Sequence, residues 1–306
     1  MPTALEIGQA TALELGLPSP SALFGSSADA TGRQLGALLN RVGKELAAEF
    51  DWTDLQREYI IEIEAPTVTV GNISTGSRLI SGIPSVAGLT SDYTVSGQGL
   101  AQSSRVVSAS DATSITINQQ AIETASGVEL TFVRDAFDLP ADFDRYMGET
   151  WWDRTSSWQL IGPVSAAAEA FQRSGILESG TRRRWRQRGG KWRIWPPPVA
   201  SDVPDILVFD YISSSWANSS GGDDLSALTA DDDEPLFPEH VLTLGLKAAL
   251  WRAKGFDWVS LYNEFFAAAR RAAGQDGGAR TITMGGRPLA ALTEPSVADG
   301  SWDIDD

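Results

Sequence analysis

The chain has 306 residues, with 40 Asp and Glu against 24 Lys and Arg, and a net charge of -16. That balance argues against general nucleic-acid binding over the whole surface, and the lack of cysteine excludes disulfides, thiolate metal sites and cysteine nucleophiles. No apolar run approaches a membrane span and no basic-then-apolar leader opens the chain, so it reads as soluble, with room for one large domain or two smaller ones.

In chain order, Thr3 and Glu6 fit a capping box, and Leu5, Ala12 and Leu15 give a short helix its apolar contacts before Pro18. Gly, Pro and Ser mark a loop to about Ser27. A longer helix follows, with Thr31 and Gln34 as its capping box and Leu35, Leu38, Leu39, Val42 and Leu46 at helical spacing. Asp51-Trp52 closes it, and Tyr59 to Ile63 reads as a strand.

Composition shifts near Pro66. From there to about Val133 the chain is rich in Ser, Thr, Gly and Val and poor in Lys and Arg. Short alternating runs (Thr67–Val70, Tyr93–Val95, Ser114–Ile117, Val128–Phe132) between glycine turns predict a small antiparallel β module inserted into a host domain. The host resumes near Phe137, with an extended corner at Leu139-Pro140 and strand-like Trp151-Trp152-Asp153 and Trp158-Gln159-Leu160. A short helix covers Ala166 to Phe171 and ends at Gly175.

Next comes the most distinctive stretch, Arg182 to Trp195. The Gly189-Gly190 pair predicts a two-residue hairpin turn that sets Arg188 opposite Lys191, Arg186 opposite Arg193 and Trp185 opposite Ile194. Trp185, Gln187, Trp192 and Ile194 then share one face, and Arg184, Arg186, Arg188, Lys191 and Arg193 the other. Like charges facing each other weaken a strand pair. The ladder therefore points to negative charge: an anionic partner (nucleic acid or an acidic surface on another subunit), or carboxylates of the same chain around a solvated hairpin.

Beyond the Pro196-Pro197-Pro198 break, Ile206 to Tyr211 predicts a strand and Ser219 to Glu234 an acidic linker. An αα-hairpin follows: Pro238 opens it, Val241, Leu242, Leu246, Ala249 and Leu250 line its first helix, and Gly255 stops it. Trp258, Leu261, Tyr262, Phe265 and Phe266 line the second, which ends near Gly274. Residues 279–306 show no periodicity and read as extended or disordered, with Thr281, Ile282, Thr283 and Met284 as a strand-like docking element. The fold class is α+β, divided into a main domain (1–65 and 134–278), an inserted β domain (66–133) and a C-terminal arm (279–306).

The search for chemistry finds little. His240 stands alone at a helix start, where a surface or capping role is the ordinary one, and no partners for a zinc site exist. A phosphate loop and a Gly-x-Ser-x-Gly elbow are both missing, and Ser96-Gly97-Gln98-Gly99 lacks the setting of a dinucleotide fingerprint. Asp231-Asp232-Asp233-Glu234 reads as a solvated linker before it reads as a cation site. The 11 tryptophans, seven of them between Trp151 and Trp216, suit core or subunit packing before stacking on bases or sugars. No catalytic residue, cofactor or metal is expected.

An ordered set of motifs resembles the head-to-tail adaptor (head-completion or tail tubular) family of short-tailed bacteriophages. It runs through Phe137-Asp138-Leu139-Pro140-Ala141-Asp142-Phe143, Trp152-Asp153-Arg154 and Trp158-Gln159-Leu160-Ile161-Gly162-Pro163. It continues through Arg184 to Pro197, Phe209-Asp210-Tyr211-Ile212, Pro235-Leu236-Phe237-Pro238-Glu239, Leu242-Thr243-Leu244-Gly245-Leu246-Lys247 and Trp251-Arg252-Ala253-Lys254-Gly255. The 66–133 module departs from the minimal pattern of the family. The resemblance implies a non-enzymatic virion protein of the neck, assembled in the host cytoplasm. It implies a helical bundle with a β region, a dodecameric ring joining portal protein to tail nozzle protein, and an arm docked on the portal. The arginine hairpin would then face channel DNA without sequence preference, or an acidic neighbour. Two other classes stay open at this point: a carbohydrate-binding or carbohydrate-active tail protein, and a nucleic-acid-binding module.

Overall fold

The computed structural model describes residues 2–172, 182–197 and 206–277. Among them the chain is a mixed α+β protein with five α-helices and several small antiparallel sheets. Its contacts divide into two compact units. One holds residues 2–57, 141–146 and 211–277, and the other holds 58–140, 147–172, 182–197 and 206–210. This division falls at residue 58, whereas the composition shifts at residue 66.

The first unit is mainly helical. Helix α1, Ala4–Glu14, carries the full capping box: Thr3 Oγ1 accepts from Glu6 N–H, and the Glu6 carboxylate accepts from Thr3 N–H at 2.9 Å. Its buried face is Ala4, Ile7, Gly8, Thr11 and Ala12; of the three apolar contacts read from the sequence, only Ala12 is buried. Helix α2, Ala30–Glu49, contains Thr31 and Gln34 inside its start, but its cap stands two residues before Thr31. Asp29 is the N-cap, its carboxylate accepting from Gly32 N–H at 2.6 Å. A carboxylate there also opposes the positive end of the helix. Leu35, Leu39, Val42 and Leu46 are buried as spaced.

Helix α4, Glu239–Lys254, ends on the left-handed Gly255 (φ 79°), as a helix-stopping glycine should. It packs on α1, α2 and α5, the last spanning Val259–Asp276. Gly245 lets the helices close on one another. A Cβ there would meet Val42 Cγ1 at 2.6 Å and Phe265 Cε2 at 2.8 Å. In α5 only Phe265, Ala268 and Ala269 are buried, so most of its predicted aromatic stripe is half-buried or exposed.

The stretch 219–234 is not the solvated linker that its composition suggests. It holds the strand Asp224–Leu225, and Glu234–Pro235 pairs with Ala217–Asn218. Asp231 accepts the N–H groups of Leu23 (2.7 Å) and Phe24 (3.0 Å). The buried Asp233 accepts those of Thr229 (2.6 Å) and Ala230 (2.8 Å). Their carbonyls receive the first free N–H groups of α1, from Leu5 and Ala4. The acids are spent on backbone donors that would otherwise lack partners.

The second unit is mainly strand. Within it, residues 67–133 form two three-stranded sheets. One is ordered Thr67–Ile73, Ala125–Arg134, Tyr93–Ser96, and the other Leu79–Ile80, Ser114–Ile117, Val106–Asp111. They share a core that includes Ile73, Ile83, Val95, Ile115, Leu130 and Phe132. Outside that stretch, Arg184–Arg188 pairs with Lys191–Trp195, which pairs with Ala136–Asp138. Ile206–Ser213 pairs with Trp152–Asp153, which pairs with Trp158–Gln159. The helix α3, Ala166–Gln172, matches its prediction, but the expected stop at Gly175 lies outside the described residues.

Aromatic rings fill the space beneath the arginine hairpin. Trp151 stacks on Trp185 (4.3 Å between centroids) and on Phe209 (4.1 Å), and Trp192 meets Phe209 edge-on at 3.9 Å. Trp151, Trp185 and Trp192 are fully buried. These tryptophans serve as core, which agrees with the packing role read from the sequence.

Candidate functional site

The arginine hairpin forms in the predicted register, Arg186 opposite Arg193 and Arg188 opposite Lys191, on a turn with both glycines at positive φ (62° and 73°). Carboxylates from distant segments relieve the repulsion along it. Lys191 Nζ lies 2.6 Å from Asp92 and 3.0 Å from Asp138. Arg193 reaches the fully buried Asp135 at 3.1 Å, and Arg105 holds the other oxygen of that carboxylate at 2.5 Å. Arg186 pairs with Glu169 at 3.0 Å. The hydrogen bond to Asp92 raises the Lys191 pKa, against the pull of partial burial, and the bond to Asp138 raises it further.

Three of the five candidate cations are therefore neutralised by their own chain. Arg184 is half-buried and Arg188 exposed, and neither has an ion pair among the described residues. Positions 189 and 190 at the tip have no atoms within 4 Å of where a Cβ would stand. The tip stands clear.

The same unit contains an open cleft of about 550 Å³ that the sequence did not announce. Its walls include Glu58, Glu149, Trp152, Arg154, Ser157 and Asp210. Trp152 sits opposite Val208 in the strand pair, and Asp210 is two residues further along, on the same face. Thr150 joins the walls: its hydroxyl donates to Met147 O (3.0 Å) and accepts from Asp210 N–H (3.1 Å). Asp153 holds the turn 154–157 by accepting from Thr155 and Ser156 N–H groups, and it pairs with Arg183 at 2.5 Å.

The charges of the cleft do not balance. Arg154 pairs with Glu58 at 2.5 Å, but the carboxylates of Glu149 and Asp210 have neither ion pair nor hydrogen bond among the described residues. Burial raises the pKa of Asp210, the negative charge of Glu58 adds to this, and Arg154 opposes it. Glu149 (φ 64°) and Ser157 (φ 57°) both line the cleft in left-handed backbone conformations that non-glycine residues seldom adopt. The available signal in the sequence was Asp210 itself, an acid inside the apolar run Ile206–Ile212.

The remaining candidates are dispersed. His240 is exposed in the first turn of α4. Thr281, Ile282, Thr283 and Met284, like the rest of the arm, lie outside the described residues. Among the described residues no three acidic or histidine side chains are placed to hold a metal ion, and no helix is long and apolar enough to cross a membrane. No model of a known protein family matches the chain, and no curated protein matches it.

Proposed function

We propose that this chain is a head-to-tail adaptor: a virion subunit that builds a ring between the portal and the tail nozzle and lines or seals the DNA channel. On this reading α1, α2, α4 and α5 are the bundle of the adaptor, residues 66–133 are an insertion, and 279–306 form the portal-docking arm. One observation carries the proposal. The residues that supply the family resemblance stand at the joints of the fold. Asp142 accepts from the Tyr211 hydroxyl (2.8 Å) and the Ser213 hydroxyl (2.6 Å), tying the Leu139–Phe143 motif to the Phe209–Ile212 motif. Gly162 lies so close to Trp185 that a Cβ would sit 2.6 Å from its carbonyl oxygen, tying the Trp158–Pro163 motif to the arginine hairpin. Gly245 does the same for α4 against α2 and α5. Each of these contacts joins stretches that lie far apart in the sequence, which supports the reading.

The arginine hairpin enters this proposal in a reduced role. With Arg186, Lys191 and Arg193 neutralised, Arg184 and Arg188 remain for DNA or a neighbour, and phosphate contacts by so few cations are weak and salt-sensitive. The test is sedimentation of purified portal rings with the full chain. Co-sedimentation that is lost on truncation before Ala279 is expected. Portal rings that sediment free of the chain at every ratio would refute the proposal.

A further inference from the structure

We propose that the acidic cleft is the socket for the arginine hairpin of a second copy of this chain, with Arg188 entering between Glu149 and Asp210 and lying against Trp152. The inference rests on the reading of the chain as a self-assembling subunit and names the contact that joins one copy to the next.

Four features carry it. The cleft holds two carboxylates, of exposed Glu149 and half-buried Asp210, that have no ion pair among the described residues while its one lining cation, Arg154, is paired with Glu58, and a carboxylate accepts most strongly from a cationic donor. Its wall includes a half-buried indole, a surface on which a guanidinium stacks favourably. Arg188 is exposed, without an ion pair among the described residues, on a turn with open space around it. The guanidinium fork can bond two carboxylates at once, which a lysine ammonium does less specifically.

Socket and plug are different surfaces of the same unit, so their pairing is head-to-tail, and such contacts propagate into a ring or a filament. Left unmated, the cleft keeps Asp210 in an unfavourable setting, partly desolvated and close to the charge of Glu58. An entering guanidinium offsets both with opposite charge and charge-assisted hydrogen bonds. It also accounts for an exposed arginine, without an ion pair among the described residues, beside a turn with open space around it.

The chain has no cysteine, so single introduced thiols report contacts cleanly. Full-length chain carrying Gln187→Cys, exposed beside Arg188, is mixed with chain carrying Ser157→Cys in the cleft wall and treated with a short bis-maleimide, so that Arg188, Glu149 and Asp210 all stay in place. Exposed Ser110→Cys replaces Ser157→Cys in the control. The expected heterodimer yield exceeds the control by about tenfold, and it falls when Asp210→Asn is added to the cleft partner. Because Ser157→Cys alters a left-handed position, sedimentation velocity of Arg188→Glu, a change at the open tip, is the second measurement. Its self-association is expected to weaken by about tenfold. Equal cross-linking to both partners, or sedimentation of Arg188→Glu that matches the unaltered chain, would overturn the contact. Portal binding is read separately: its loss alone sinks the adaptor assignment, and loss of the cross-link alone sinks the socket.

Discussion

A methyl group on Gly43 would fall 2.3 Å from Cη2 of Trp216, a ring that is buried, stacked on Phe237 and anchored by its Nε1–H donating to Ser226 O at 2.9 Å. The ring must shift against its stacking and its hydrogen bond, so Gly43→Ala is expected to cost about 1–3 kcal/mol by over-packing. Gly274, also helical, has nothing within 4 Å, and Gly274→Ala is expected to gain about 0.5 kcal/mol from helix propensity. Thermal melts of the two variants should move in opposite directions; parallel shifts would contradict the packing described. At this scale the sequence was partly legible. Gly255 and the Gly189-Gly190 turn could be read because local geometry alone requires them. Gly43 and Gly245 could not, because the atoms that demand a glycine come from residues far along the chain.

The arginine hairpin shows the same limit among elements. Its register follows from the turn and from side-chain alternation, both local properties, and it formed as read. Its carboxylate partners could not be read, since Asp92 lies 99 residues before Lys191 and Asp135 lies 58 before Arg193. The same applies to 219–234, where acid-rich composition suggested solvent and the backbone of α1 supplied the reason for Asp231 and Asp233.

Asp135 has no exposed surface and holds two cations. Asp135→Asn leaves Arg105 and Arg193 without their counter-charge and is expected to cost about 3–5 kcal/mol in urea unfolding, whereas a change under about 1 kcal/mol would show the pairs to be dispensable. Lys191 gives a pH test. Its folded-state pKa is raised above the ordinary 10.5, so its ion pairs contribute fully below that value and are lost as pH rises through the raised one. The unaltered chain should exceed Lys191→Met in unfolding midpoint by a constant margin from neutrality to about pH 9, and the margin should shrink in stronger alkali. A margin that stays constant throughout would remove the linkage.

On the scale of the whole molecule, the described surface carries exposed apolar groups and separated charges. Phe256, Val259 and Tyr262 are 60%, 53% and 38% exposed around the α4–α5 turn, and the cleft and hairpin tip carry opposite charges without ion pairs among the described residues. Subunits that work by contact keep such surfaces open until assembly. The cleft was invisible in the sequence because Glu58 and Asp210, on separate strands, and Glu149, in the turn before Trp152, come together only in the folded chain.

Single-particle electron microscopy of the neck of the intact virion tests the adaptor assignment most directly. The expected map contains a symmetric ring of this chain between portal and tail nozzle, with residues 279–306 against the portal. A neck fully accounted for by other proteins, with this chain elsewhere on the particle or missing from it, would contradict the assignment.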